Sequence, residues 1–172
     1  AGTAEAYASV KLTADITIPA GPTWTPIGSA ANPYTGVFDG DGHTVSGLTA
    51  SITAAEYNTD DGIPFGLFGQ TQGATIKNLR MSNVEISGSE SSGSGILCGR
   101  AIATTISGCT IDNSCTFNGN TAMVGGLGCM LIESTVSDCV VAVHLQLENQ
   151  APPAGGYAYV LSNSQIINSI FK

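Results

Sequence analysis

Gly66-Leu67-Phe68-Gly69-Gln70-Thr71-Gln72-Gly73-Ala74-Thr75-Ile76-Lys77-Asn78-Leu79-Arg80-Met81 is the stretch that decides the fold, because its apolar positions return every 30 residues. Leu67 returns as Leu97, Leu127 and Tyr157. Ile76 returns as Ile106, Val136 and Ile166, and Met81 as Ile111, Val141 and Phe171. The register is read as running through four copies without a slip. A repeat of this length is the signature of a solenoid, in which one copy cannot bury its apolar face until the next stacks on it.

Within each copy, short runs of Val, Ile, Thr and Leu alternate with Gly, Asn, Ser and Asp, and no sustained helical rhythm occurs. Val84-Glu85-Ile86 recurs as Cys115-Thr116-Phe117 and as Leu145-Gln146-Leu147, with the outer members inward and the middle one outward. The chain is expected to be all-β, a parallel β-helix of about five rungs with ~30 residues per rung. His43-Thr44-Val45-Ser46-Gly47-Leu48 aligns with Ala74–Leu79 at a spacing of 31 and supplies an earlier rung. The organisation read is a single domain over residues 1–172: N-terminal rungs at 1–48, a loop excursion at 49–65, and four repeats over 66–172. Residues 149–155 form a second excursion. The chain is expected to be a module of a longer chain or assembly.

With 13 acidic and 5 basic residues the net charge is −8, which disfavours nucleic acid and anionic membrane as partners. The cations form no stripe, and no apolar run is long enough to span a bilayer. The start, AGTAEAY, has neither a charged nor an apolar signal region.

Trp24-Thr25-Pro26-Ile27-Gly28, Tyr34-Thr35-Gly36-Val37-Phe38-Asp39-Gly40-Asp41-Gly42-His43-Thr44-Val45-Ser46-Gly47-Leu48, Gly66-Leu67-Phe68-Gly69 and Ala74–Leu79 resemble the GLUG-motif repeat proteins. The similarity is close over residues 24–88 and weaker beyond, where Gly95-Ile96-Leu97-Cys98-Gly99 and Gly125-Gly126-Leu127-Gly128 replace the Gly-Leu-Phe-Gly element. The resemblance implies a right-handed parallel β-helix on a bacterial surface or secreted protein, often an adhesin-like module. Some relatives carry a zinc peptidase domain. Its His-Glu-x-x-His signature is missing from this sequence, whose only histidines are His43 and His144.

Candidate chemistry is sparse. Asp39 and Asp41 sit among glycines as a tight turn does, with a calcium loop as the alternative, and Asn58–Gly62 is a weaker cation candidate. The column Asn78, Gly108, Asp138, Asn168 reads as a structural ladder at a bend. Five cysteines leave at least one unpaired. Cys109 and Cys139 are a candidate disulfide, Cys98 and Cys129 the next nearest pair, and small buried hydrophobes the favoured reading. No metal, cofactor or catalytic residue is expected.

A polysaccharide-active enzyme is the first alternative, with Asp112, Glu85 and Arg80 as its residues. Its outward columns are Glu85, Thr116, Gln146 and Ser82, Asp112, Ala142, Lys172. An ice-binding face is the second. It rests on the outward ladder Thr44, Thr75, Thr105, Thr135, flanked by Ser46, Lys77, Ser107 and Ser137 and ended by Gln165 and Ile167. The leading expectation is a non-enzymatic, extracellular or cell-surface adhesion or structural module that takes a glycan or protein ligand. Tyr57, Asp60 and Asp61 in the loop are its candidate contacts. Phe171 lacks a covering rung, so end-to-end self-association into a filament is a further alternative.

Overall fold

The computed structural model describes residues 9–21, 24–52, 65–88, 93–119, 123–147 and 154–172. All regular elements among them are strands, and every strand pairing is parallel. They build four sheets that climb a common axis as a parallel β-helix.

The ladder sheet contains β1 (Val10–Lys11), β3 (Val37–Asp39), β7 (Thr75–Lys77), β12 (Thr105–Ser107), β16 (Thr135–Ser137) and β20 (Gln165–Ile167). The long sheet contains β2 (Ile16–Thr17), β4 (Thr44–Ser46), β5 (Thr49–Ile52), β8 (Arg80–Ser82), β9 (Glu85–Gly88), β13 (Thr110–Gly119), β17 (Val140–Leu147) and β21 (Ile170–Phe171). The third sheet contains β6 (Phe68–Gln72), β11 (Cys98–Ile102), β15 (Gly128–Ile132) and β19 (Ala158–Ser162). The minor sheet contains β10 (Gly93–Gly95), β14 (Met123–Gly125) and β18 (Ala154–Gly155).

The third sheet has four strands, so about four turns are complete against the five expected. The reason lies at the start, where β1 and β2 are two residues each and contribute to only two sheets.

The inner columns are those of the repeat. Ile76, Ile106 and Val136 pair in register and are fully buried, as are Leu97, Leu127 and Ile111. Near the N-terminal end aromatic residues close the core. Tyr34 and Phe38 both pack on Phe68, with ring centroids 5.2 and 5.3 Å apart, and Trp24 Nε1 donates to the Leu67 carbonyl at 3.2 Å.

Two corners repeat up the axis. Gly73, Ala103, Glu133 and Asn163 hold φ between 47 and 64°, and Asn78, Gly108, Asp138 and Asn168 hold φ between 48 and 61°. The second set is the column read from sequence as a bend, and its left-handed conformation explains the Asn, Asp and Gly there.

The residue after each bend often carries a short hydroxyl or thiol that replaces a backbone partner. Thr104 N–H donates to Ser134 Oγ and Ser134 N–H to Ser164 Oγ, while each hydroxyl donates to the carbonyl two residues back. At the other bend Cys109 N–H donates to Cys139 Sγ and Cys139 N–H to Ser169 Oγ, in the same pattern. Cys109 and Cys139 therefore stand where Thr and Ser stand at the first bend.

Two register readings need correction. Thr44 does not stack on Thr75: it pairs with Arg80, and Val45 pairs with Met81. The strand beneath β7 is β3, with Phe38 under Ile76. The cause is a longer turn: β3 and β4 precede their partners by 38 and 36 residues, not 31, and the difference of two lies in the corner between them. Gly40 N–H donates to the Lys77 carbonyl and Arg80 N–H to the His43 carbonyl, so Asp41 and Gly42 are extra residues between positions that Asn78 and Leu79 fill directly. Their φ values of 50 and 83° turn the chain out and back.

The second correction is a slip inside the repeat. Ile111 pairs with Val141 at a spacing of 30, but Cys115 pairs with Val143 at a spacing of 28. Asp112-Asn113-Ser114 bulges out of β13 while β17 runs straight past it. Thr116 consequently faces His144, not Gln146, and the outward column of the long sheet reads Glu85, Thr116, His144.

Candidate ligand-binding face

The long sheet presents its outer face through alternate residues. Thr49, Glu85, Thr116 and His144 form one outward column, and Ser51, Ser87 and Asn118 stand in the next. Phe117 and Ile86, between them, are fully buried. Strand neighbours are ~4.8 Å apart, so the face offers a row of hydrogen-bonding groups along the axis at that step. Asn118 Nδ2 donates to Glu85 Oε1 at 3.0 Å, and Ser87 Oγ donates to the Ala50 carbonyl at 3.2 Å. Two depressions lie on this face. The smaller, about 290 Å³, is lined by Gly21, Thr49, Ser51, Glu85 and Ser87.

The larger depression, about 600 Å³, lies at the slip. Asp112 and Asn113 come from the bulge, Val140, Ala142, Val143 and His144 from β17, and Lys172 from beyond β21. Its size falls within the ordinary range for a small-molecule site. Asp112 Oδ1 accepts the N–H of Ser114 at 2.9 Å and the Ser114 hydroxyl, which fixes the bulge. Ser114 Oγ also accepts Asn83 N–H at 2.7 Å, tying the bulge to the turn beneath. Lys172 N–H donates to the Val141 carbonyl at 2.9 Å, which anchors that residue at the rim.

The other candidates are dispersed. Tyr57, Asp60 and Asp61, with Asn58–Gly62, lie outside the described residues. Thr75, Thr105 and Thr135 do align on the ladder sheet, but Val37 precedes them, Gln165 follows, and Thr44 belongs to the long sheet. The neighbouring column is broken by Lys77, whose Nζ lies 3.2 Å from Asp39 Oδ2.

Glu85 and Asp112 stand in different outward columns. Arg80 flanks Thr44 and Thr110, and among the described residues it makes no ion pair with Asp112. The Asp39 carboxylate accepts Asp41 N–H at 2.9 Å and Asn78 Nδ2 at 3.2 Å. The Asp41 backbone bond first, then Lys77 and Asn78, hold it below the usual carboxylate range, so its oxygens serve the turn. Asp15 is likewise lowered, mainly by the Thr44 N–H and then by His43. No group of three or more metal-ligating side chains occurs among the described residues.

All five cysteines are buried free thiols. Cys109 and Cys139 are joined by hydrogen bonding and not by a disulfide. Burial pushes Cys98 up to about 12, and Cys115 and Cys129 up to about 11. Cys109 is raised by its bond to Cys139 and by burial. Thiols held protonated this way are poor nucleophiles and poor metal ligands.

No family model, no curated protein and no solved structure matches the chain. No helix among the described residues is long and apolar enough to cross a membrane.

Proposed function

We propose that the chain is a non-enzymatic, extracellular or cell-surface β-solenoid module of a bacterial protein that binds a glycan along the outer face of its long sheet. The carrying observation is the polar row from Thr49 to His144 with a depression at each end. A polysaccharide also repeats hydroxyls at a regular step, so a ladder of fixed donors and acceptors suits a polymer better than a compact molecule. Resemblance to GLUG-motif repeats supports the surface setting. Buried thiols and dispersed carboxylates support retention of the ligand over turnover.

Thr116 is outward, half-buried and central, so Thr116→Arg obstructs the row without entering the core. On an array of immobilised polysaccharides this variant is expected to retain less than about a tenth of wild-type binding, with an unchanged thermal midpoint. Product released from the polysaccharide would instead indicate an enzyme, and equal retention would exclude this face.

A second reading, end-to-end stacking, is favoured by exposed apolar residues at both ends of the axis. Val10, Ile16 and Val37 are exposed at one, and Leu161, Ile167, Ile170 and Phe171 at the other. The ladder sheet runs from β1 to β20 and the long sheet from β2 to β21, so one copy can extend both sheets of the next. Sedimentation is expected to show growing species as concentration rises, and Phe171→Glu to abolish them. A single monomer boundary at millimolar concentration would exclude stacking.

A further inference from the structure

The depression at the slip differs in kind from the rest of the polar row. Elsewhere the row carries hydroxyls, an amide and Glu85. Here two basic side chains, Lys172 and His144, line one cavity with Asp112 and Asn113. That grouping is notable in a chain of net charge −8, whose Lys11 and Lys77 are already spent on Asp41 and Asp39 at 3.0 and 3.2 Å. Lys172 makes no ion pair among the described residues.

Geometry separates Lys172 from Asp112 within the cavity. Asp112, Ala142 and Lys172 follow one another on adjacent strands, because Ile111, Val141 and Phe171 before them are in register. Asp112 and Lys172 are thus two strand spacings apart, roughly 10 Å along the axis. Ala142 stands between them, and its small side chain leaves the space open. Val140 adds apolar lining beside it. The sequence repeat would have put Gln146 beside Thr116. The slip puts His144 there instead, and His144 reaches the cavity as the next outward position after Ala142 on β17.

We propose that this cavity is the subsite for a carboxylated sugar unit, its acid group held by Lys172 and His144 and its hydroxyls by Asp112 and Asn113. The inference rests on the glycan reading above and adds the class of sugar. Asp112 keeps Oδ2 for this purpose, since Ser114 occupies only Oδ1. A carboxylate acceptor and an amide suit vicinal hydroxyls, an ammonium and an imidazole N–H suit a carboxylate, and the apolar lining suits the C–H face of a pyranose. Acidic polymers are repelled at long range by the chain's net charge, so selection here acts through contact and not through steering.

Titration calorimetry with a uronic acid tetramer and its carboxyl-reduced, neutral counterpart tests the assignment. The wild type is expected to favour the acid form by about tenfold, the scale of one charge-assisted hydrogen bond. Lys172→Gln should bring that ratio close to one, and Lys172→Arg should keep it above one. Ala142→Leu, which fills the cavity, should weaken both ligands. Lys77→Gln, on the ladder sheet and paired with Asp39, should alter neither. Equal wild-type affinities for the two tetramers, or a ratio unmoved by Lys172→Gln, would overturn the carboxylate assignment and leave the glycan face standing. Binding of neither tetramer, or binding of both undisturbed by Thr116→Arg, would overturn the face and the assignment together.

Discussion

Gly125→Ala is expected to destabilise the fold by about 3 kcal/mol or more and to lower its thermal midpoint by roughly 10 °C. A Cβ at Gly125 would run into the Gly128 carbonyl oxygen and lie 2.8 Å from Ala158 Cα, both backbone atoms that cannot swing aside. The same approach recurs at Gly66, Gly95 and Gly155, each against the backbone three residues on or the turn above. This crowding is the physical content of the glycine that opens each Gly-Leu-Phe-Gly-like element: the third-sheet corner closes only without a side chain. Gly73→Asn is the control. Gly73 has open space around it and φ of 64°, and Asn163 fills the equivalent bend three turns higher. That variant should change stability by less than about 0.5 kcal/mol. A Gly125→Ala protein as stable as wild type by thermal melting would show that the corner is looser than described.

Alkali is expected to unfold the chain earlier than a disulfide-bonded solenoid would, because its cysteines are buried as thiols. Cys98, Cys115 and Cys129 ionise near 9.0 when exposed and at about 12, 11 and 11 when folded. Between those values the unfolded chain loses protons that the folded chain keeps. Stability is therefore flat with respect to these groups below pH 9 and falls as pH rises above it, by about 1.4 kcal/mol per unit for each thiol. Urea midpoints should be level from neutrality to pH 8.5 and drop steeply by pH 10, and Cys98→Ala should reduce the slope by about a quarter, since Cys109 is raised with these three. A midpoint that stays level to pH 11 would mean that these thiols are hydrated or oxidised.

The architecture was legible because period and stacking are the same fact: Ile76, Ile106 and Val136 recur in sequence and touch in space. What escaped was the spacing of corners. The turn holding β3 and β4 is 36 to 38 residues long, so a spacing near 30 sets Thr44 on Thr75, in the wrong sheet, while its partner Arg80 lies 36 residues on. The slip had a visible signal. Val141, Val143, Leu145 and Leu147 alternate without interruption, as one continuous strand does, whereas Ile111 and Cys115 are separated by the polar trio Asp112-Asn113-Ser114. A constant period conceals such a change, since an excess in one half of a coil is offset by a deficit elsewhere. His144 is consequently not legible as a member of the outward row, nor is the cavity beside Asp112.

Cys109 and Cys139 illustrate a different limit. Their spacing admits a disulfide, although two small buried residues in one column is the favoured reading. Which atoms each sulfur faces is settled by the bend, where Thr104, Ser134, Ser164 and Ser169 make the corresponding bonds through oxygen.

The proposed function places ligand retention on one face, the outer side of the long sheet. The direct measurement compares polysaccharide retention by Thr116→Arg with that by Ser107→Arg, which adds the same group to the outer side of the ladder sheet. Retention lost in Thr116→Arg and kept in Ser107→Arg is the expected result. The reverse, or loss in both without loss of fold, would contradict it.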